Sequence, residues 1–177
     1  MSLMRLENML LHRWSKLVLF LALISVFAAC GVYSPYGAQT SGAQTFSVEY
    51  FKPQTPLASP EIAQNFTEAL KDLILRQSTL SLEEQDGELQ YSGSITGYSV
   101  IPVGVQGDEV ANVNRLSITV KVRYVNTIEK ELGFDRSFTK FADYDSSEDL
   151  FSVEASLLED INDQLTQDIF NATLGNW

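Results

Sequence analysis

Histidine and cysteine are almost missing from this chain: His12 and Cys30 are the sole examples in 177 residues. Beyond Cys30 there is neither an imidazole nor a thiol. That excludes Ser-His-Asp and Cys-His catalysis, and the ordinary zinc sites that draw on those side chains. A single cysteine also excludes an intrachain disulfide. Positive charge is scarce as well, with 12 Lys and Arg against 23 Asp and Glu and a formal net charge of −11. So acidic a protein is a poor candidate for nonspecific nucleic-acid binding or for a polybasic membrane-surface mode. Long apolar runs are absent too. The longest, Leu17 to Ala29, has 13 residues and spans roughly 20 Å, short of a bilayer core of about 30 Å.

That short run sits in an informative place. Arg5, Arg13 and Lys16 precede it, and small residues and Cys30 follow. Basic start, short apolar run and small-residue exit are the parts of a secretory signal peptide, which covers residues 1–29. Phe27-Ala28-Ala29-Cys30-Gly31 resembles the lipobox of bacterial lipoproteins, with Phe27 where Leu is usual. The resemblance implies a diacylglycerol on the Cys30 thiol, cleavage before Cys30, and an N-acyl chain such as palmitate on the new terminus. A lone free thiol would be an odd choice in an oxidising compartment, and lipidation removes the oddity. Stable anchoring takes more than one acyl chain, at about 0.8 kcal/mol per buried CH₂. In such lipoproteins an Asp after the cysteine holds the protein at the inner membrane. Gly31 stands there instead and points to the outer membrane, periplasm-facing.

Removing residues 1–29 takes away three basic residues and one acidic one. The remaining 148 residues then carry nine basic and 22 acidic side chains, a net charge of −13. That length suits one domain with a real core. Residues 30–45, rich in Gly, Ser, Ala and Tyr, read as a lipidated flexible tether, and residues 46–177 as the domain. Phe46 to Tyr50 alternates as a half-buried strand. Ser59-Pro60-Glu61 starts a helix, with Ser as N-cap and Pro at the first helical position. Ile62, Phe66, Leu70 and Leu73 share one helical face, and the helix ends near Gln77. Leu80 to Glu83 is short enough for a brief strand, and Asp86-Gly87 marks a turn.

Leu89, Tyr91 and Ile95 share one parity, and Tyr98 and Val100 the other. The switch predicts a bulge at Gly97. Ile101-Pro102 belongs at a strand end or edge, and Gly104 to Asn112 is a polar loop. Leu116, Ile118, Val120, Val122 and Tyr124 alternate with Arg115, Ser117, Thr119, Lys121 and Arg123, the clearest strand of all. After a turn over Asn126 to Gly133, Phe134 to Phe141 is another strand with Phe138 facing in. Asp145-Ser146-Ser147-Glu148 resembles a capping sequence. Leu150, Val153, Leu157, Ile161, Leu165 and Ile169 then form a long helical stripe. The expected fold is α+β: a two-layer sandwich with two amphipathic helices packed on a mostly antiparallel four-stranded sheet.

Signs of chemistry are few. Asp143-Tyr144-Asp145 and Glu83-Glu84 are the densest carboxylate pairs, but they sit where turns and caps want acids. Asp143, Asp145 and Glu148 have no EF-hand spacing. Gly93 and Gly97 lie in a strand and form no phosphate loop. The basic strand face is more informative. Arg115, Lys121 and Arg123 project from one side of an acidic protein, with Arg136 and Lys140 joining them if the next strand's register allows. Such a stripe suits phosphate or carboxylate groups on a partner or lipid. The plainer reading is a solvated sheet face with cross-strand acid pairs.

Five stretches in order carry a family resemblance. They are Phe66-Thr67-Glu68-Ala69-Leu70-Lys71-Asp72, Gly93 to Tyr98, Asn114 to Val122, Phe141 to Ser147 and Asp168-Ile169-Phe170-Asn171. Together with the lipobox they resemble the LptE family of lipopolysaccharide-assembly lipoproteins, in a divergent branch. The resemblance implies two helices against a mostly antiparallel sheet and no covalent chemistry or cofactor. It also implies a plug inside a large outer-membrane β-barrel, LptD, which the lipoprotein helps to assemble while lipopolysaccharide passes to the outer leaflet. Family members touch lipopolysaccharide through basic residues near a strand end. Arg115, Lys121 and Arg123 are candidates for that contact from the strand pattern alone. The alternatives are a lipid-anchored periplasmic module that binds a ligand or peptidoglycan without catalysis, and a histidine-free hydrolase using carboxylates.

Overall fold

The computed structural model describes residues 38–104 and 113–175. The signal segment, Cys30, the tether as far as residue 37 and most of the polar loop after Gly104 lie outside the described residues. In chain order the elements are β1 (Thr45–Val48), β2 (Lys52–Pro53), α1 (Pro60–Gln77), β3 (Ser81–Leu82), β4 (Leu89–Val103), β5 (Val113–Asn126), a 3-10 turn (Lys130–Leu132), β6 (Phe134–Asp145) and α2 (Leu150–Leu174). The sheet order is β3-β1-β4-β5-β6, with β2 also paired to β4.

Among the described residues the fold is α+β with two helices, but the sheet has six strands and is mixed, which corrects the expected antiparallel four. β1 runs parallel to both β3 and β4, and β2 runs parallel to β4. Only β4-β5-β6 is antiparallel. Helix α1 is the reason. It carries the chain back over the sheet, so the strand that follows it lies parallel to the strand before it. Alternation marks a strand but neither its direction nor its neighbour. β2 and β3, at two residues each, are too short to show a period.

β1 and β2 are two pieces of one edge. Val48 pairs Tyr91 and Lys52 pairs Ser94, so four steps on one side meet three on the other. The extra residue lifts Phe51 off the ladder, and its N–H donates instead to the Thr67 hydroxyl of α1 at 3.2 Å. The Phe51 ring meets Phe66 edge-on, with centroids 5.1 Å apart. Gly93 makes room for this arrangement. A Cβ there would lie 2.0 Å from the Lys121 carbonyl oxygen and 2.7 Å from the Phe51 ring. The bulge expected at Gly97 is present, as a register shift between Ile95 and Gly97.

Helix α1 starts as its sequence dictates. Ser59 is the N-cap, accepting from the Ile62 N–H at 3.2 Å, with Pro60 at the first helical position. It buries Ile62, Phe66, Leu70, Leu73 and Ile74 on the sheet. The cap of α2 differs from expectation. Asp149 is the N-cap, accepting from the Phe151 N–H, whereas Asp145 ends β6 and closes a turn with Ser147. Along α2 the stripe changes depth: Leu150, Val153 and Leu157 are half-buried, while Ile161, Leu165 and Ile169 are fully buried. Full burial of each such side chain contributes about 1.5–3 kcal/mol. Gln77 at the end of α1 bonds Gln167, and the first turn of α1 shares a groove with Phe151 to Leu158, so the helices run in the same direction. Residues 38–45 lie against the domain: the Gln39 N–H donates to the Leu174 carbonyl at 2.8 Å, and Ala43 is buried. Among the described residues no helix is long and apolar enough to cross a membrane.

The close approach at Gly93 gives a stability prediction. Gly93→Ala forces β5 and Phe51 away and costs about 3 kcal/mol, the upper end for overpacking. Gly104→Ala, where a Cβ meets nothing within 4 Å, changes stability by about 0.5 kcal/mol or less. Urea unfolding of both variants measures the difference, and equal midpoints would contradict it.

Candidate functional site

β5 lies inside the sheet, between β4 and β6. Its residues Leu116, Ile118, Val120, Val122 and Tyr124 are buried beneath the helices. Because side chains alternate across a strand, Arg115, Ser117, Thr119, Lys121 and Arg123 share the opposite face, which no helix covers among the described residues. Register brings Ser92, Ser94 and Ser99 of β4 beside Arg123, Lys121 and Ser117. On the other flank stand Asp143, Phe141, Thr139, Ser137 and Asp135 of β6. The basic row is therefore flanked by serines on β4 and by hydroxyls, Phe141 and two carboxylates on β6, and Lys52 of β2, in register with Ser94, shares its face.

The three predicted cations differ in how much of their charge is left. Arg115 is fully engaged. It forms two parallel bonds to Asp143, Nε to Oδ1 at 2.7 Å and Nη2 to Oδ2 at 2.8 Å, and its guanidinium lies 3.6 Å over the Phe141 ring. Lys121 makes a single contact with Asp135 at 3.2 Å, with both side chains about half exposed at 53%. Exposed pairs of this kind contribute about 0–1 kcal/mol, so Lys121 exchanges partners readily. Arg123 stands opposite Asp135 in the register but takes part in no described ion pair. It lines a cavity of about 450 Å³ with Lys130, Phe134 and Asp135 at the base of the β5–β6 hairpin. Asn126 shapes that base, its side-chain oxygen accepting from the Ile128 and Glu129 N–H groups at 2.9 and 2.8 Å.

Arg136 and Lys140 do not join the row, which corrects the expectation drawn from strand spacing. Arg136 pairs in register with Val122 and Lys140 with Ile118, both core residues, so these two cations lie on the helix side. Lys140 binds Asp168 of α2 at 2.9 Å. Arg136 stacks over Phe134 and Phe138 at 4.5 and 4.9 Å. The carboxylates are likewise dispersed. Asp143 belongs to Arg115, and Asp145 accepts from the Ser147 hydroxyl and N–H at 2.6 and 2.8 Å. Among the described residues no group of three His, Cys, Asp or Glu is placed to hold a metal. Lys121 and Arg123, about 6.6 Å apart along the strand, are suited to bridging anionic oxygens rather than to moving protons.

These contacts set carboxyl titrations. The Arg115 hydrogen bond holds Asp143 below the usual carboxylate range, and Ser147 does the same for Asp145. A depressed folded-state value means that the stabilisation is present above the unfolded carboxyl pKa and is lost as pH falls through the folded one. Carbon-detected NMR titration of Arg115→Gln returns Asp143 to the ordinary range and leaves Asp145 in place. If Asp143 keeps its low midpoint, the guanidinium is not its cause.

Comparison with known proteins places the chain. The profile of LptE, lipopolysaccharide-assembly, matches residues 43–173, nearly the whole domain. No curated protein matches in sequence. A crystal structure of a Xanthomonas campestris protein shares the fold, with a TM-score of 0.56 at 11% identity, over 80% of this chain and 88% of that one. A minor lipoprotein of Acinetobacter baumannii aligns with a TM-score of 0.46 at 15% identity, over 75% of this chain and 97% of that one. On the extent of the profile match, the chain belongs to the LptE lipopolysaccharide-assembly family, whose members are not enzymes.

Proposed function

We propose that this protein is an outer-membrane lipoprotein, acylated at Cys30, that seats in a large β-barrel of the LptD type. There it helps the barrel assemble and assists lipopolysaccharide to the outer leaflet. The match of residues 43–173 to the lipopolysaccharide-assembly family carries the reading. The anchor follows from the lipobox-like sequence at Phe27 to Gly31, and the outer membrane from Gly31. Contact with lipopolysaccharide falls to Lys121, held only by an exposed pair with Asp135, and Arg123, which is in no described ion pair. Arg115 takes a supporting part, since Asp143 already satisfies its fork. Phosphates of the lipid would displace Asp135 from Lys121 and meet Arg123 directly, because cation–phosphate bonds are charge-assisted on both sides.

Two outcomes are expected. Affinity isolation of the tagged lipidated chain, followed by mass spectrometry, recovers a large β-barrel in near-equal amount, and depletion of the chain lowers surface lipopolysaccharide. Isolation without a barrel, together with normal surface lipopolysaccharide after depletion, would sink the reading. Separately, Lys121→Glu with Arg123→Glu weakens lipopolysaccharide binding in vitro by about tenfold, on the scale of one to two lost charge-assisted bonds. Arg136→Glu on the helix side leaves binding nearly unchanged. Equal losses from the two changes would remove the outer face from the account.

A further inference from the structure

Between α1 and α2, on the side turned away from the sheet, runs a groove of about 860 Å³. Its floor is largely apolar, with Ile62, Ala69 and Leu158, beside the buried amide of Asn162. Two large apolar side chains stand at one end: Leu57 is 65% exposed and Phe151 is 89% exposed. The rim is acidic. Glu61, Asp72, Glu154, Glu159 and Asp163 line it, against Arg76 alone. Glu154 is held in place by the Tyr98 hydroxyl at 2.5 Å. From Glu61 to Arg76 the groove runs about 22 Å at 1.5 Å per residue, the length of a four-turn helix.

We propose that this groove docks a basic amphipathic helix of a partner protein. The apolar floor and the exposed Phe151 offer the anchor pocket that such a helix fills with residues at helical spacing. The acidic rim selects a cationic flank and disfavours an anionic one. The occupant is a helix rather than a strand, since both walls are helices whose backbone groups are already bonded and no sheet edge opens into the groove. Negatively charged lipid headgroups are disfavoured by the same acids. A second copy would bring like charge, since the chain beyond residue 29 has 22 acidic residues against nine basic ones. The proposal does not rest on the lipopolysaccharide contact proposed above, which concerns the opposite face.

The test uses the full chain in neutral detergent. The probe is a fluorescently labelled 18-residue amphipathic helix of Leu and Lys carrying a photoreactive group, and its counterpart has Glu in place of Lys. The Lys peptide binds by anisotropy and cross-links to residues of α1 and α2 lining the groove. Leu57→Ser with Phe151→Ser weakens it at least tenfold, and so does Glu159→Lys with Asp163→Lys. Glu83→Lys with Glu84→Lys, an equal charge change at exposed positions away from the groove, alters it less than twofold. All these substitutions are at or near the surface, and circular dichroism verifies that each variant is folded. The proposal is overturned by equal weakening in the Glu83/Glu84 variant, by equal binding of the Glu peptide, or by cross-links outside the groove. Self-association abolished by Phe151→Ser would instead assign the groove to a second copy. Binding to phosphatidylglycerol vesicles abolished by the same change would assign it to lipid.

Discussion

Among the described residues two helices cover one face of the sheet and none covers the other, and the rest of the structure depends on that imbalance. β5 is the strand that feels it most. With β4 and β6 on its flanks it has no free edge, so its alternating side chains must divide between a dry face and a wet one. A slip of one residue would bury Lys121 and Arg123 beneath α1 and α2 and expose Ile118 and Val120. Register is therefore fixed by the cost of burying charge. The same constraint delivers the basic row to the open face.

The electrostatics sharpen the point. In a chain of net charge −11, most cations near the sheet are already engaged. Arg115 is clamped by Asp143 and Phe141, Lys140 by Asp168, and Arg136 by two aromatic rings. Arg123 and Lys52 take part in no described ion pair, and Lys121 has only its exposed contact with Asp135. Meanwhile acid is concentrated along the helix groove on the other layer. The domain thus presents two faces of contrasting character.

Much of this was legible in the sequence, for identifiable reasons. The period of β5 is unbroken, Ser59-Pro60 is a strong helix start, and the parity switch at Gly97 marks its bulge. These are local signals, and local signals survive folding when packing agrees with them. Four features were not legible. The parallel pairing of β1 depends on where α1 lands, which no window of sequence records. The side taken by Arg136 and Lys140 depends on the β5–β6 register, set by hairpin length and by Phe134, Phe138 and Ala142 packing inward. The loss of Arg115 as a free cation needed Asp143 opposite it, 28 residues away in sequence. The cap of α2 was misplaced by four residues because Asp145 and Asp149 are equally good caps in isolation, and β6 continues through the first of them.

The proposed contact of the open sheet face with lipopolysaccharide can be tested in living cells by a photoreactive amino acid at Ser137, exposed and paired in register with Lys121. Contact through this face yields a lipopolysaccharide adduct from position 137 and none from Ser156, exposed on α2. An adduct from position 156 and none from 137 would rule that face out.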